Sequence, residues 1–94
     1  MDKQTAYELI DIELQGWRKL PYSKILELVG TNHDKEVVGE DGRTYQLEID
    51  VMWDDKRLRN DLRVFVSADE GFWRAFFPLT RCFIKRPDGS FVGE

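Results

Sequence analysis

The segment Arg43-Thr-Tyr-Gln-Leu-Glu-Ile-Asp-Val-Met-Trp-Asp-Asp55 decides how this chain folds. Apolar and polar side chains alternate along it: the odd positions 45–53 are Tyr, Leu, Ile, Val and Trp, and most even positions are polar. A period of two over this length predicts a half-buried β-strand. At about 3.3 Å per residue, such a strand crosses a whole small domain. The rest of the chain is therefore expected to pair with this strand or to cover its apolar face.

The composition predicts one small domain, spanning residues 1–94, with a single core. Hydrophobic residues make up 41% of the chain, and three Trp, three Tyr and six Phe supply that core. The net charge of −4 disfavours nucleic acid and anionic membranes as partners, because phosphate binding needs a basic surface. One cysteine, Cys82, excludes an internal disulfide and a cysteine metal cluster. With no apolar signal core and no apolar run near a span's length, we expect a cytoplasmic protein. No cofactor is predicted.

Two helices are predicted before the central strand. Residues 4–17 carry an amphipathic stripe, with Asp2 or a capping box of Thr5 and Glu8 at its start. A second helix is expected to open at Pro21 and to end at Gly30 in a left-handed conformation. The short connection between them predicts a helical hairpin. The predicted buried stripe of the first helix comprises Tyr7, Ile10, Leu14 and Trp17.

A β-hairpin is predicted on the N-terminal side of the central strand. Residues 31–34 form a polar break, and residues 36–38 form a short strand. The turn falls in Gly39-Glu-Asp-Gly42, where Asp-Gly is the strongest local signal. A two-residue turn and a three-residue turn with a bulge fit equally well. They place different valines opposite Tyr45, so the register stays open.

A charged loop, residues 54–61, follows the central strand and leads into a further strand over residues 62–68. The apolar alternation of both strands fits an antiparallel pair. The preferred register matches apolar with apolar and acid with base, and each such pair contributes about 0.2–1 kcal/mol. It pairs Val51 with Val66, Trp53 with Val64, Met52 with Phe65, and Asp54 with Arg63.

The C-terminal third predicts further strands. Residues 72–77 are aromatic on both faces, which is typical of a central or doubly covered strand. Residues 81–85 form another strand, and Arg86-Pro-Asp-Gly89 is a type I turn that folds Phe91 and Val92 back on Ile84. The predicted fold class is α+β: an N-terminal helical hairpin packed on an antiparallel meander of four to five strands, in two layers. The helices are expected to lie across the apolar face of the central strand. The order of the later strands stays open.

Four segments resemble a group of small bacterial hypothetical proteins. They are Trp53-Asp-Asp55, Asp61-Leu-Arg-Val64, Trp73-Arg-Ala-Phe-Phe-Pro-Leu-Thr80 and Pro87-Asp-Gly-Ser-Phe-Val-Gly-Glu94. The resemblance spans most of the chain and implies a bacterial, single-domain protein. It implies no activity, ligand, partner or site residue.

One face of the central strand carries acidic side chains: Glu48, Asp50 and Asp54, with Asp55 beside them. Carboxylates two residues apart on a strand point the same way, about 7 Å apart, and suit a hard cation or acid–base chemistry. We prefer a solvated outer face with cross-strand partners such as Arg63, because antiparallel sheets commonly expose one polar face.

Met52 and Phe65 complicate that interpretation, because they place two apolar side chains on the same acidic face. A hydrophobic spot with a charged rim is typical of an interaction surface.

Other candidates have plainer structural explanations. His33 is interpreted as an exposed loop residue and Cys82 as a buried strand position rather than a nucleophile. Trp73 and Arg74 could form a binding hot spot, although core packing is favoured for most of the aromatic residues. The basic loop, residues 56–59, is flanked by acids and is interpreted as solvated. The glycines fall in turns and not in a phosphate-binding motif.

These patterns favour a non-enzymatic bacterial protein-interaction or regulatory module with a protein partner. The alternative is a small-molecule-binding domain or modest enzyme that uses a carboxylate-lined cleft. The chain is expected to be a monomer, or a weak homodimer through an exposed strand edge. The predicted binding residues are Met52, Phe65, Trp73, Arg74, Asp50 and Asp54; no catalytic or metal-binding residue is predicted.

Overall fold

The computed structural model describes residues 2–69 and 79–94. Helices α1 (Lys3–Arg18) and α2 (Tyr22–Glu27) precede strands β1 (Asn32–Val38), β2 (Thr44–Trp53), β3 (Leu62–Asp69) and β4 (Leu79–Lys85). The strands form one antiparallel sheet in the order β1-β2-β3-β4. The predicted α+β fold, helices packed on an antiparallel meander, is confirmed with four strands in this part of the chain. The aromatic strand predicted at 72–77 lies outside the described residues.

Asp2, one of the two predicted caps, is the N-cap of helix α1. The Asp2 Oδ1 accepts a hydrogen bond from the backbone N–H of Gln4, and Oδ2 accepts one from the Thr5 hydroxyl, both at 3.0 Å. Pro21 is the N-cap of α2, and Gly30 has the predicted positive φ, at +85°. Helix α2 stops at Glu27, earlier than predicted. Across residues 2–69 and 79–94, no helix is long and apolar enough to cross a membrane.

Strand β1 is longer than the sequence predicts, since it begins at Asn32. The predicted polar break is therefore wrong for residues 32–34. The backbone N–H of Gly30 donates to the Val51 carbonyl at 2.8 Å, which docks the chain onto β2 just before β1 begins. Pairing with β2 thus overrides the polar composition. The open register is now fixed, with Val37 opposite Tyr45.

The sheet buries Tyr45, Leu47, Ile49 and Val51 of β2 as predicted and half-buries Trp53, but the β2–β3 register is two residues away from the predicted one. Val51 lies opposite Val64 and Trp53 opposite Leu62. This register gives the fully buried Leu62 an apolar partner, which the predicted register would not. The predicted ion pair between Arg63 and Asp54 is present, but it runs diagonally between the strands.

Helix α1 lies on the predicted face of the sheet but packs over β3 and β4 rather than β2. The C-terminal end of α1 is held to β4 by Lys85, whose Nζ donates to the carbonyls of Arg18 at 3.0 Å and Leu20 at 2.7 Å. The core between the layers consists of the following buried side chains: Ala6, Ile10, Leu14, Ile25, Tyr45, Leu47, Ile49, Val51, Leu62, Val64, Val66, Ala68 and Phe83.

The C-terminal turn forms as predicted. The backbone N–H of Gly89 donates to the Arg86 carbonyl at 2.8 Å, which closes the turn. Phe91 then bridges Lys85, and the Val92 N–H donates to the Ile84 carbonyl at 2.9 Å. The chain after β4 therefore folds back along that strand.

Candidate interaction surface

The sheet face opposite α1, which we call the outer face, carries the candidate site. Strand alternation assigns its residues, because neighbouring side chains on a strand point to opposite faces. The core-facing set includes Ile49, Val64 and Phe83, so their neighbours on each strand face outward. The outer face comprises Asn32, Asp34, Glu36, Val38, Thr44, Gln46, Glu48, Asp50, Met52, Arg63, Phe65, Ser67, Asp69, Thr80, Cys82 and Ile84.

The half of the outer face built by β1 and β2 is acidic. Asp34 lies opposite Glu48 in the strand pairing, and Asn32 lies opposite Asp50. The Asn32 side-chain amide donates to Glu48 Oε1 at 2.9 Å and to Asp50 Oδ1 at 2.5 Å. A neutral donor therefore holds the two carboxylates, and their negative charge is not cancelled. Glu36 extends this half along β1.

The half of the outer face built by the ends of β2, β3 and β4 is apolar. Met52 is 38% exposed, whereas Phe65 and Ile84 are half-buried. The predicted direct pairing of Met52 with Phe65 is wrong: Arg63 faces Met52, and Asp50 faces Phe65. The Arg63 guanidinium lies 5.4 Å from the centre of the Phe65 ring and also bonds Asp54. The apolar patch consequently runs diagonally over three strands, with Arg63 within it.

The acidic residues proposed from the sequence have separate roles. Asp50 stands at the boundary between the acidic and apolar halves, and Asp54 binds Arg63. Asp55 caps the following loop, since its Oδ1 accepts from the backbone N–H of Arg57 at 2.8 Å. Within the described ranges, no three His, Cys, Asp or Glu side chains gather in a way that could hold a metal ion. Trp73 and Arg74 lie outside the described residues.

His33 and Cys82 both differ from their predicted settings. His33 is not a loop residue: it lies in β1, half-buried, with Nε2 2.8 Å from the Thr31 hydroxyl and its ring 5.7 Å from that of Trp17. Cys82 is exposed rather than buried, because Phe83 and Lys85 take the core-facing positions of β4. His33 faces the helices and Cys82 the outer face, so the two do not form a nucleophile–base pair.

A second surface feature, which the sequence did not predict, lies where α1 meets β4. A groove of about 410 Å³ is lined by Asp11, Leu14, Gln15, Arg18, Arg81 and Cys82. Arg81 donates to both carboxylate oxygens of Asp11, at 2.7 and 2.9 Å. Arg18 donates to both oxygens of Glu94, at 2.6 and 2.8 Å. These hydrogen bonds hold the pKa of the Glu94 carboxyl below its usual range and raise the pKa of Arg18.

Comparison of the chain with protein-family models, with curated proteins and with solved structures finds no match.

Proposed function

We propose that this chain is a protein-interaction domain whose outer face binds a basic, amphipathic segment of a partner protein. The observation that carries the proposal is the juxtaposition of an acidic half and an apolar half on a sheet face that neither helix covers. Asp50 and Phe65 lie directly opposite each other where the two halves meet. An apolar patch rimmed by charge is typical of an interaction surface.

The charge of the outer face selects the chemistry of the partner. Its acidic half carries Asp34, Glu36, Glu48 and Asp50, whereas Arg63 is its one basic residue among the described strands and is paired with Asp54. A partner with Lys or Arg beside an apolar side chain complements this pattern. Complementary charge mainly raises the association rate and the specificity, and burial of the apolar half supplies binding free energy.

The same residues give less support to the alternative of an enzyme or small-molecule site. Glu48 and Asp50 accept hydrogen bonds from a neutral amide on the outer face, and they are not among the residues that line the groove. The groove described above is lined by a different carboxylate, that of Asp11. The single free thiol and the acidic charge suit a reducing cytoplasm, which we include in the proposal.

Selection from a random peptide-display library on the immobilised protein tests the proposal. The enriched sequences are expected to combine Lys or Arg with apolar residues, and their affinity should fall as salt is added. Two variants probe the two halves of the outer face: Met52→Lys and Glu48→Lys. The matched control is Ile12→Lys, because Ile12 is 70% exposed on α1, away from this face.

Each outer-face variant is expected to weaken binding of the selected peptides about tenfold or more, with the control unchanged. Enrichment of acidic peptides whose binding Met52→Lys weakens would contradict the proposed charge complementarity of the outer face. Peptides that bind both outer-face variants as tightly as the unmodified protein would show that they use another surface.

A further inference from the structure

Strand β4 leaves part of its backbone available at the edge of the sheet. The Ile84 carbonyl accepts from Val92, so the backbone groups of Ile84 point away from β3. Backbone direction alternates along an antiparallel strand, so the N–H and C=O groups of Thr80 and Cys82 point the same way. Among the described residues, neither has a backbone partner on that side. With respect to residues 2–69 and 79–94, the edge is thus paired at Ile84 and open at Thr80 and Cys82.

The C-terminal segment begins a fifth strand and then leaves its position. Phe91 and Val92 run antiparallel to β4, and Gly93, with a φ of +80°, turns the chain away. Glu94 then reaches Arg18 on α1 instead of pairing beside Cys82. The position that a continued strand would occupy coincides with the groove between α1 and β4.

The two edges of the sheet differ in how they resist pairing with another chain. On the β1 edge, Asp34, Lys35 and Glu36 are consecutive exposed charges, a common protection against strand addition. On the open part of β4 the only charged side chain is Arg81, and Asp11 neutralises it. The β4 edge therefore lacks the protection that the β1 edge has.

The groove carries two arginine side chains, each paired with a carboxylate, so displacement of one carboxylate exposes a positive charge. Arg18 and Arg81 stand on its walls, with one lining carboxylate, Asp11. Glu94 already shows that a carboxylate docks on the Arg18 fork with two hydrogen bonds. Bidentate contacts of this kind select a carboxylate over a neutral group.

We propose that the groove between α1 and β4 binds an extended, acidic peptide segment by β-strand addition. The backbone of the peptide pairs with Thr80 and Cys82, and a peptide carboxylate replaces Glu94 on Arg18. Leu14 forms the apolar floor. This is a second site, separate from the outer-face site, and it takes a ligand of the opposite charge.

A second copy of this chain fits the edge less well. Two-fold pairing centred between Thr80 and Cys82 would place Arg81 directly beside its own copy, and like charges in opposing positions are unfavourable.

The test uses a fluorescein-labelled peptide, Thr-Val-Glu-Val-Glu-Val, with fluorescence anisotropy on the full chain. In one control peptide both Glu residues are replaced by Lys. A second control peptide carries backbone N-methyl groups that prevent strand pairing. Cys82→Pro removes an edge-facing N–H without removing a bond to β3, and proline is tolerated at such edge positions. Arg18→Gln removes the guanidinium that holds the carboxylate, and Arg57→Gln in the exposed loop is its matched control.

The acidic peptide is expected to bind, and both control peptides to bind at least about tenfold more weakly. Cys82→Pro and Arg18→Gln should each weaken binding about tenfold or more, with Arg57→Gln and Met52→Lys unchanged. Glu94→Gln should tighten it, because the intramolecular competitor is weakened.

Three results would overturn the proposal: no binding, preference for the Lys peptide, or binding that ignores both groove variants. A concentration-dependent dimer that Cys82→Pro abolishes would instead assign the edge to a second copy. The unchanged Met52→Lys result separates this site from the outer face, so either proposal can fail without the other.

Discussion

Lys85→Met is expected to destabilise the fold by about 2–3 kcal/mol. Lys85 is 6% exposed, and its ammonium group donates to the carbonyls of Arg18 and Leu20, where α1 ends. The Arg18 carbonyl belongs to the negative end of the α1 dipole, which favours a cation. Methionine keeps an apolar chain of similar length but leaves both carbonyls without this donor.

The magnitude follows from those two contacts. A hydrogen bond to a charged group contributes about 1.5–3 kcal/mol, and part of that gain is offset by the cost of burying the ammonium group. A net loss of about 2–3 kcal/mol is a large part of the roughly 5–14 kcal/mol expected for a domain of this size. For such a domain the loss lowers Tm by about 10–20 °C.

Urea unfolding, monitored by far-UV circular dichroism, measures this loss. The midpoint urea concentration should fall, while the dependence of the free energy of unfolding on urea concentration stays the same. The matched control is Lys24→Met, because the Lys24 side chain is 63% exposed and lies 3.8 Å from Glu27. That control should change the free energy of unfolding by less than about 0.5 kcal/mol. If Lys85→Met is as stable as the unmodified chain, the ammonium group does not hold α1 to β4.

Three further substitutions test local features of the fold. Gly39→Ala should lower the free energy of unfolding by about 1–3 kcal/mol in urea titrations, because its Cβ would lie 2.6 Å from Thr5 Cγ2 and 2.9 Å from Tyr45 Cε1. Gly16→Ala, at an open position in α1, should raise it by about 0.5–1 kcal/mol in the same assay. Burial and the hydrogen bond to Asp41 raise the pKa of Tyr45 to about 12, above the value of about 10 in an unfolded chain. The stability that this group contributes is therefore complete below about pH 10 and is lost as the pH rises towards 12. When Tm is measured over this pH range, Tyr45→Phe should show a smaller decrease than the unmodified chain.

The sequence predicts the elements whose periodicity is long and regular. Helix α1 and strand β2 carry their stripes over 16 and 10 residues, so the burial of Ile10, Leu14 and Ile49 follows from spacing alone. The start of β1 could not be predicted in this way, because polar Asn32 is placed in a strand by its pairing with β2. Tertiary pairing overrides a weak local preference there.

The candidate surfaces were predictable in composition but not in geometry. The sequence shows acids and apolar residues that share the outer face, and strand alternation places them there. The groove has no comparable signal, because Arg18 and Glu94 are 76 positions apart and meet only when α1 packs on β4. Alternation in β4 is also ambiguous: Cys82 and Ile84 are apolar, yet Lys85 takes a buried position.

The β2–β3 register shows which interactions decide strand pairing in this chain. The predicted register was chosen partly for the ion pair between Asp54 and Arg63, but the observed register keeps that pair on a diagonal. An exposed ion pair contributes about 0–1 kcal/mol, whereas full burial of a leucine contributes about 1.5–3 kcal/mol. The observed register places Leu62 opposite Trp53 in the core, where the predicted one would set it opposite Asp55.

The loop between these strands favours the same choice, since Asp55 is needed as a cap and not as a strand residue. Its side chain accepts from the backbone of Arg57, and its carbonyl accepts from Arg59 at 2.9 Å. The register also determines the outer face: because Leu62 lies opposite Trp53, Phe65 lies opposite Asp50 and not opposite Met52 as predicted. The register that completes the core thus brings an aromatic ring directly against the acidic half, which is the juxtaposition that a basic, amphipathic partner would recognise.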